Sequence, residues 1–329
     1  MASFKKDGNV WRVQVARRGV RLSGSFPTKK AAEAWAVERE NEIMKGTYSG
    51  AGSRTVADLF DEYAKRVSDG KAGGQWERTR FKAFKKNFPD LAAKLLTETN
   101  SHDWGLWRDE RLQTVSAGTL IREANLFSAA FHMARREWKW IDKSPMTDMR
   151  RPKEPQARDR RISANEEGRL TLALGYAPGN APETISARVA LIVQFAIETA
   201  ARASEITGLT WDRVHERHFH LDKTKTGVAR DVAMSARARE IIEEVRAVTG
   251  TQQTVFEVPS ASLDALFRKA KKRCGIEDLH FHDTRHEAIT RLAKKIDVLD
   301  LARMVGHRDL RMLQVYYNES AHDMAAKLG

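Results

Sequence analysis

Residues 198–206, Glu198-Thr199-Ala200-Ala201-Arg202-Ala203-Ser204-Glu205-Ile206, follow an apolar run beginning at Ile185 that reads as a buried helix. The run delivers Arg202 just beyond its C-terminal end, and Glu205, three residues on, can reach back and hold the guanidinium. An arginine at an interior turn is most often half of a structural ion pair. The residues downstream reverse that reading. His282-Asp283-Thr284-Arg285 comes about eighty residues later, then Gly306-His307, then Tyr316 nine residues past that histidine. His282 and Arg285, three apart on a helix expected to start near Asp283, project from one face into a common pocket. Gly306 permits the turn that presents His307, and Leu310, Met312 and Leu313 are expected to bury the helix whose later turn offers Tyr316. The set supplies cations for a phosphate, two imidazoles for proton traffic and a phenol that can attack.

Between the two arginines the pattern changes from helix to strand. Residues 218–221 can run into a turn near Lys225-Thr226-Gly227, with 228–234 returning as the second strand of a hairpin. Lys225 then sits at the tip, where a long flexible ammonium can enter a groove. Lys223 competes for the same role. His215, His218 and His220 invite a metal reading, but no cysteine or carboxylate accompanies them at a usual ligand spacing. His286, four residues after His282, lacks the glutamate that a zinc hydrolase needs between its histidines.

In order and spacing these segments resemble the tyrosine recombinases, in particular phage-type integrases. That family shares a T-G-x-R-x-x-E-[IL] segment, a K-[TGN]-G hairpin, an H-x-x-R helix, a G-H turn and a tyrosine nine residues past that histidine. The motifs cover roughly residues 160–320, and the rest of the chain matches by layout only. Ala200 stands where the family usually has glycine, and Asn318 where it often has histidine. The resemblance implies a mixed α+β, mainly helical protein: a β-sheet-plus-helix module over 1–48, a helical core-binding domain over 54–149, a basic linker over 150–161 and a catalytic domain over 162–329. It also implies cleavage through a 3′-phosphotyrosyl link with a free 5′-hydroxyl, no metal or nucleotide cofactor, and double-stranded DNA attachment sites as partners. Four protomers would assemble on synapsed DNA, with a host bending protein or an excision factor as possible accessories.

The chemistry accounts for the residue types. A phosphodiester repels nucleophiles, and its pentacoordinate transition state is more negative at the equatorial oxygens. Arg202 and Arg285 can bind those oxygens bidentately without losing charge. A phenol with a pKa near ~10 is ionised about one part in a thousand at neutral pH, so Tyr316 needs nearby cations and a base. His282 is the candidate base, His307 the hydrogen-bond donor to a phosphate oxygen, and Lys225 the acid that protonates the departing 5′ oxygen. Tyr317 competes with Tyr316 for the nucleophile's role, but one further position turns a helical side chain by about 100°.

Composition fits a polyanionic partner. The formal net charge is +13 over 329 residues and the pI about 9.8. A single cysteine, Cys274, excludes an intrachain disulfide. No run approaches the ~20 apolar residues of a membrane span, and the N-terminus lacks the apolar core of a secretory signal. The expectation is a cytoplasmic bacterial protein, nucleoid-associated when bound to DNA.

Upstream, 10–15 alternates like a half-buried strand, Arg17-Arg18-Gly19 can turn the chain, and 20–26 can return. Thr28 reads as the cap of a helix over 29–44, with Ala31, Ala32, Trp35 and Ile43 to cover the sheet. This unit looks like the arm-binding module of phage integrases, with Arg12, Arg17 and Arg18 as DNA contacts; a mere cap domain is the plainer alternative. Residues 46–53 form a Gly/Ser linker, and 55–143 read as helical throughout, with Ser116 capping a helix that carries Leu120, Ala124, Phe127, Ala130 and Phe131. Arg122, Arg135, Arg136 and Lys139 are candidate phosphate contacts there or ordinary solvated charges. Residues 150–161 hold six cations and two acids around two prolines, so Arg151 and its neighbours can strap the DNA or merely link two domains. Arg230, on the returning strand, is expected to touch the DNA backbone. The C-terminal tail, 319–328, either docks on a neighbouring subunit or frays. A type IB topoisomerase and a non-catalytic DNA-binding regulator stand as alternatives. Only the first shares the need for Arg202, His282, Arg285, His307 and Tyr316 together, and a metal-dependent nuclease fits least.

Overall fold

The computed structural model describes residues 2–17, 20–45, 54–156, 158–222, 229–307 and 309–317. Arg18, the linker 46–53, Lys223, Lys225, Asn318 and the tail 319–328 lie outside them. The chain divides into two compact units, 1–156 and 157–329.

The first unit opens with a three-stranded antiparallel sheet, β1 (Ala2–Asp7), β2 (Val10–Arg17) and β3 (Val20–Phe26), in the order β1-β2-β3. β1 escapes the sequence reading because Ala-Ser-Phe-Lys-Lys-Asp has no apolar alternation and its strand is almost wholly exposed. Thr28 Oγ1 accepts from Ala31 N–H at 3.2 Å and starts α1 (Lys29–Lys45). α1 lays Ala32, Ala36 and Ile43 over Val13 and Val15, all buried. The period of two leaves Arg12 on the opposite face, in register with Lys5 and Ser25. Arg17 departs from expectation. It shares the helix-covered face with Val13 and Val15, and its guanidinium lies 3.5 Å from Glu40 and 3.0 Å from the Met44 sulfur.

The helical part of this unit runs α2 (Val56–Tyr63), a π-helical turn over Ala64–Ser68, α3 (Gly74–Asn87), α4 (Pro89–Ala93), α5 (Ser101–Leu112) and α6 (Ala117–Arg136). Capping boxes at Thr55/Asp58 and Asn100/Asp103 start α2 and α5, and Ser116 caps α6. Phe60 is fully buried and stacks on Phe81 at 4.6 Å and on Phe127 at 4.8 Å, which ties α2, α3 and α6 into one core.

The second unit is built round α8 (Ile185–Thr199), most of whose residues are buried, against which α7 (Ala164–Ala173) packs. A short helix α9 (Ala203–Thr207) leads to the hairpin β4 (His218–Leu221) and β5 (Arg230–Ala233). Helices α10 (Ala236–Thr249), α11 (Ser260–Arg273) and α12 (Asp283–Leu292) also pack on α8. Helix α13 (Val298–Val305) rests on β5 and α12, and α14 (Arg311–Gln314) follows. Of the three residues expected to bury α14 only Leu313 does so, while Leu310 and Met312 are 41% and 56% exposed. A helix of one turn has room for one inward position.

Candidate active site

Helix α8 ends because Ala200 takes the left-handed conformation, φ 56°, the geometry that glycine normally serves. The chain therefore turns at this position despite the Cβ, and Arg202 becomes the N-cap of α9. The Glu205 side chain, 8% exposed, receives four donors. Arg202 gives its backbone N–H at 2.8 Å and its Nη1 at 2.8 Å, and Arg230 gives Nη1 at 3.1 Å and Nη2 at 2.8 Å. Burial alone would raise this carboxyl, but those hydrogen bonds and charges outweigh it and hold it below the usual carboxylate range. Arg202 makes no other side-chain hydrogen bond among the described residues, which leaves donors on its guanidinium for a ligand.

Arg285 is 4% exposed on the first turn of α12. Its Nη1 donates to Ala200 O at 2.5 Å and its Nη2 to Val305 O at 2.7 Å, with His307 Nε2 3.2 Å from Nη2. Burial first, and the Arg202 charge second, push it down to about 10, so it stays charged near neutrality. An arginine can only donate, so His307 Nε2 accepts and the proton belongs on Nδ1, a buried atom with no partner among the described residues. Burial and the charges of Arg285, Arg202 and Arg230 bring His307 down to about 4. It is presented by Gly306, whose φ of 71° lies in the left-handed region that glycine adopts without strain.

Tyr316 is half-buried against the core that holds Ala200, Ala288, Ile289 and Leu313. Burial pushes its phenol above the ordinary value, and Arg285 offsets only part of that. The depression expected from neighbouring cations is thus outweighed by burial: Arg202 and Arg285 direct their hydrogen bonds to Glu205 and to carbonyls. The His286 ring meets the Tyr316 ring edge-on at 5.1 Å. Tyr317 is committed elsewhere, its hydroxyl donating to Ile296 O at 2.9 Å.

Sequence reasoning and structure part at several residues. His282 is exposed at the N-cap of α12 while Arg285 is buried, so the two do not share one depth. Arg230, expected at the surface on DNA, has a side chain 6% exposed and is locked to Glu205 and, through Nε at 2.9 Å, to Met304 O. Its strand signals this: in β5 the period of two puts Arg230 on the inner face with fully buried Val232. Nothing in the local sequence of His286 foretells its contact with Tyr316.

The remaining candidates differ in their freedom. Arg12 is exposed and pairs with Asp7 at 2.9 Å. Arg122 and Arg136 are exposed on α6, whereas Arg135 is only half-exposed. His132 lies on the same helix with its proton affinity lowered by burial and then by Arg135, Arg136 and Arg151. Arg151 reaches Asn125 and Ser128. In the linker, Arg158 binds Asp283 and Asp278, Arg160 binds Glu166, and Arg161 binds Glu287, so those cations hold the segment to its own unit. His220 bridges Asp231 at 2.7 Å and Asp222 at 3.3 Å. No group of three His, Cys, Asp or Glu side chains arranged to hold a metal ion occurs among the described residues, and none of the described helices is long and apolar enough to cross a membrane.

The sequence profile of the phage integrase family matches residues 161–323. A Haemophilus influenzae protein assigned as an integrase/recombinase is 39% identical over 99% of this chain and 88% of its own length. A shufflon-specific DNA recombinase of Escherichia coli is 34% identical over 83% of this chain and 71% of its own. The fold is similar to that of lambda integrase, solved as a dimer bound to a COC′ core site, with a TM-score of 0.68, 16% identity and 96% of each chain covered. Such identity over nearly the whole length places the chain in the phage integrase family of tyrosine recombinases, enzymes that cut and rejoin DNA strands in site-specific recombination.

Proposed function

We propose that Tyr316 is the nucleophile and that its phenolic oxygen attacks a phosphodiester, forming a 3′-phosphotyrosyl bond and releasing a 5′-hydroxyl. The observation that carries this is the pair of adjacent tyrosines: Tyr317 has its hydroxyl tied to Ile296 O, while Tyr316 lies within the field of Arg285. Arg202 binds a phosphate oxygen with the donors that Glu205 does not occupy. Arg285 joins by exchanging one of its carbonyl bonds for a second phosphate oxygen, which turns its charge toward the phenol and lowers the barrier to ionisation. His307 donates to a phosphate oxygen, and His282 takes the phenolic proton. Lys225, outside the described residues, protonates the departing 5′ oxygen. The phosphoester energy stays in the covalent link, so a second strand's 5′-hydroxyl can reverse the step without a nucleotide.

The DNA partner is a pair of attachment sites, and four protomers act on the synapsed duplexes. Solved lambda integrase as a tetramer bound to a Holliday junction supports that reading, since the fold is alike. The sheet module over 1–48 contacts arm sites through Arg12 and Arg18, the helical block over 54–149 contacts the core through Arg122, Arg135 and Arg136, and the basic segment over 150–161 does so through Arg151. A bending protein or an excision factor assists, and the protein works in the bacterial cytoplasm.

The test is a duplex with a nick next to the scissile phosphate, which lets the cleaved end diffuse away. Wild-type and Tyr317→Phe chains are expected to accumulate a covalent protein–DNA adduct on denaturing gels. Tyr316→Phe is expected to bind the duplex normally and form none. An adduct with Tyr316→Phe would move the nucleophile elsewhere.

A further inference from the structure

We infer that Arg230 is a positioning residue for strand cleavage: its guanidinium clamps the Glu205 carboxylate and the Met304 carbonyl together and thereby sets both Arg202 and the His307 turn. The inference rests on the proposed roles of those two residues at the phosphate.

Three elements meet at this one side chain. From β5 Arg230 grips both oxygens of Glu205 on α9, at 3.1 and 2.8 Å, and those oxygens also hold the Arg202 N–H and Nη1. Its Nε closes on Met304 O in the last turn of α13, two residues before Gly306. A Cβ on Gly306 would lie 3.3 Å from the Arg230 side chain, so the turn that presents His307 is packed directly on it. A flat fork with five donors can grip both oxygens of a carboxylate and a carbonyl in one fixed geometry, which the three donors on a lysine's single rotatable nitrogen do not reproduce. Without the clamp Glu205 keeps only Arg202 as a cation, and Arg202 is free to swing onto it fully and away from the phosphate.

The arrangement also explains why a buried arginine is tolerated here. The Arg230 side chain is 6% exposed and Glu205 8%, so each satisfies a charge the other could not bury alone. His307 faces Arg285 from α12, Arg202 from the start of α9 and Arg230 from β5, and its depressed proton affinity carries a contribution from each. Arg230 thus enters the site's electrostatics without touching substrate.

The experiment measures single-turnover adduct formation on the nicked duplex at saturating DNA, across pH, for Arg230→Lys, Arg230→Met and Glu205→Gln. All are expected to bind duplex within about threefold of wild type, since Arg230 is buried. Cleavage is expected to fall about tenfold in Arg230→Lys and about a hundredfold in Arg230→Met, the scale of a misplaced catalytic group. The His307 imidazole, followed by NMR, should titrate at higher pH in Arg230→Met, because removing a cation eases its protonation, and move less in Arg230→Lys. The double variant Arg230→Met/Glu205→Gln should lose little more than the worse single one, as residues of one unit do. Arg230→Lys keeps the stem and charge, and it carries the test where the methionine chain fails to fold. Wild-type cleavage rates in a folded, DNA-binding Arg230→Lys would overturn the inference alone. Absence of a wild-type adduct would overturn the tyrosine mechanism and this inference with it.

Discussion

His307 is neutral at physiological pH for a reason that also limits the fold. The unfolded chain takes up its proton near the ordinary value of ~6.5, whereas burial and three arginines delay uptake in the folded state to about 4. Between those values the unfolded state binds more protons, so stability falls as pH is lowered through that window. Thermal melts are expected to drop between pH 7 and 5, and His307→Gln to flatten that limb. The carboxylates held low by partners, Glu166, Asp283 and Glu287, lose their contribution only at lower pH, as it approaches and passes below the ordinary carboxylate values. Ala200 makes a second residue-scale case. A β-branched side chain at φ 56° in a fully buried position is strained, so Ala200→Val should cost about 2 kcal/mol in urea denaturation. Ala200→Gly should stay near neutral, because relief of the left-handed strain is offset by a lost buried methyl.

Elements in this protein are fastened by charges of the basic segment, for which the sequence leaves a DNA strap and a plain linker both open. The segment after residue 157 is tied down by Arg158 on Asp283 and Arg161 on Glu287, and both carboxylates belong to α12, the helix of Arg285. Arg158→Ala with Arg161→Ala is therefore expected to lower the melting temperature and slow cleavage while leaving the salt slope of DNA binding unchanged. A drop in that slope by about two, measured by titration at several salt concentrations, would return these arginines to the phosphates. On the β-sheet the logic runs the other way. Lys5 and Arg12 stand in register on the face that α1 leaves bare, so Lys5→Glu with Arg12→Glu should weaken binding to arm-site duplex and spare adduct formation on a core site alone.

At the scale of the whole molecule, a net charge of +13 makes affinity for duplex steeply salt-dependent, about 10³-fold or more between 50 and 200 mM salt if six or more phosphates are neutralised. That charge is less free than a count suggests. Arg80 and Arg111 converge on Glu123, which is 4% exposed, and Arg202 and Arg230 converge on Glu205. The clearest surface candidates are the exposed ones, such as Arg12, Arg122 and Arg136.

By itself the sequence determined the kind of protein. Motif order, the caps at Thr28 and Ser116, the helical period of α6, the apolar run of α8 and the strand alternation in β2 are local signals, written within a few residues of where they act. Only the tertiary structure decided how the site is held. Arg285 reaches Ala200 across 85 residues and Arg230 reaches Met304 across 74. Which donor meets which acceptor over such distances depends on how α8, β5, α12 and α13 pack, and no periodicity encodes that. The same reason hid the contact of His286 with Tyr316 and turned Arg230 from an expected DNA contact into a buried clamp.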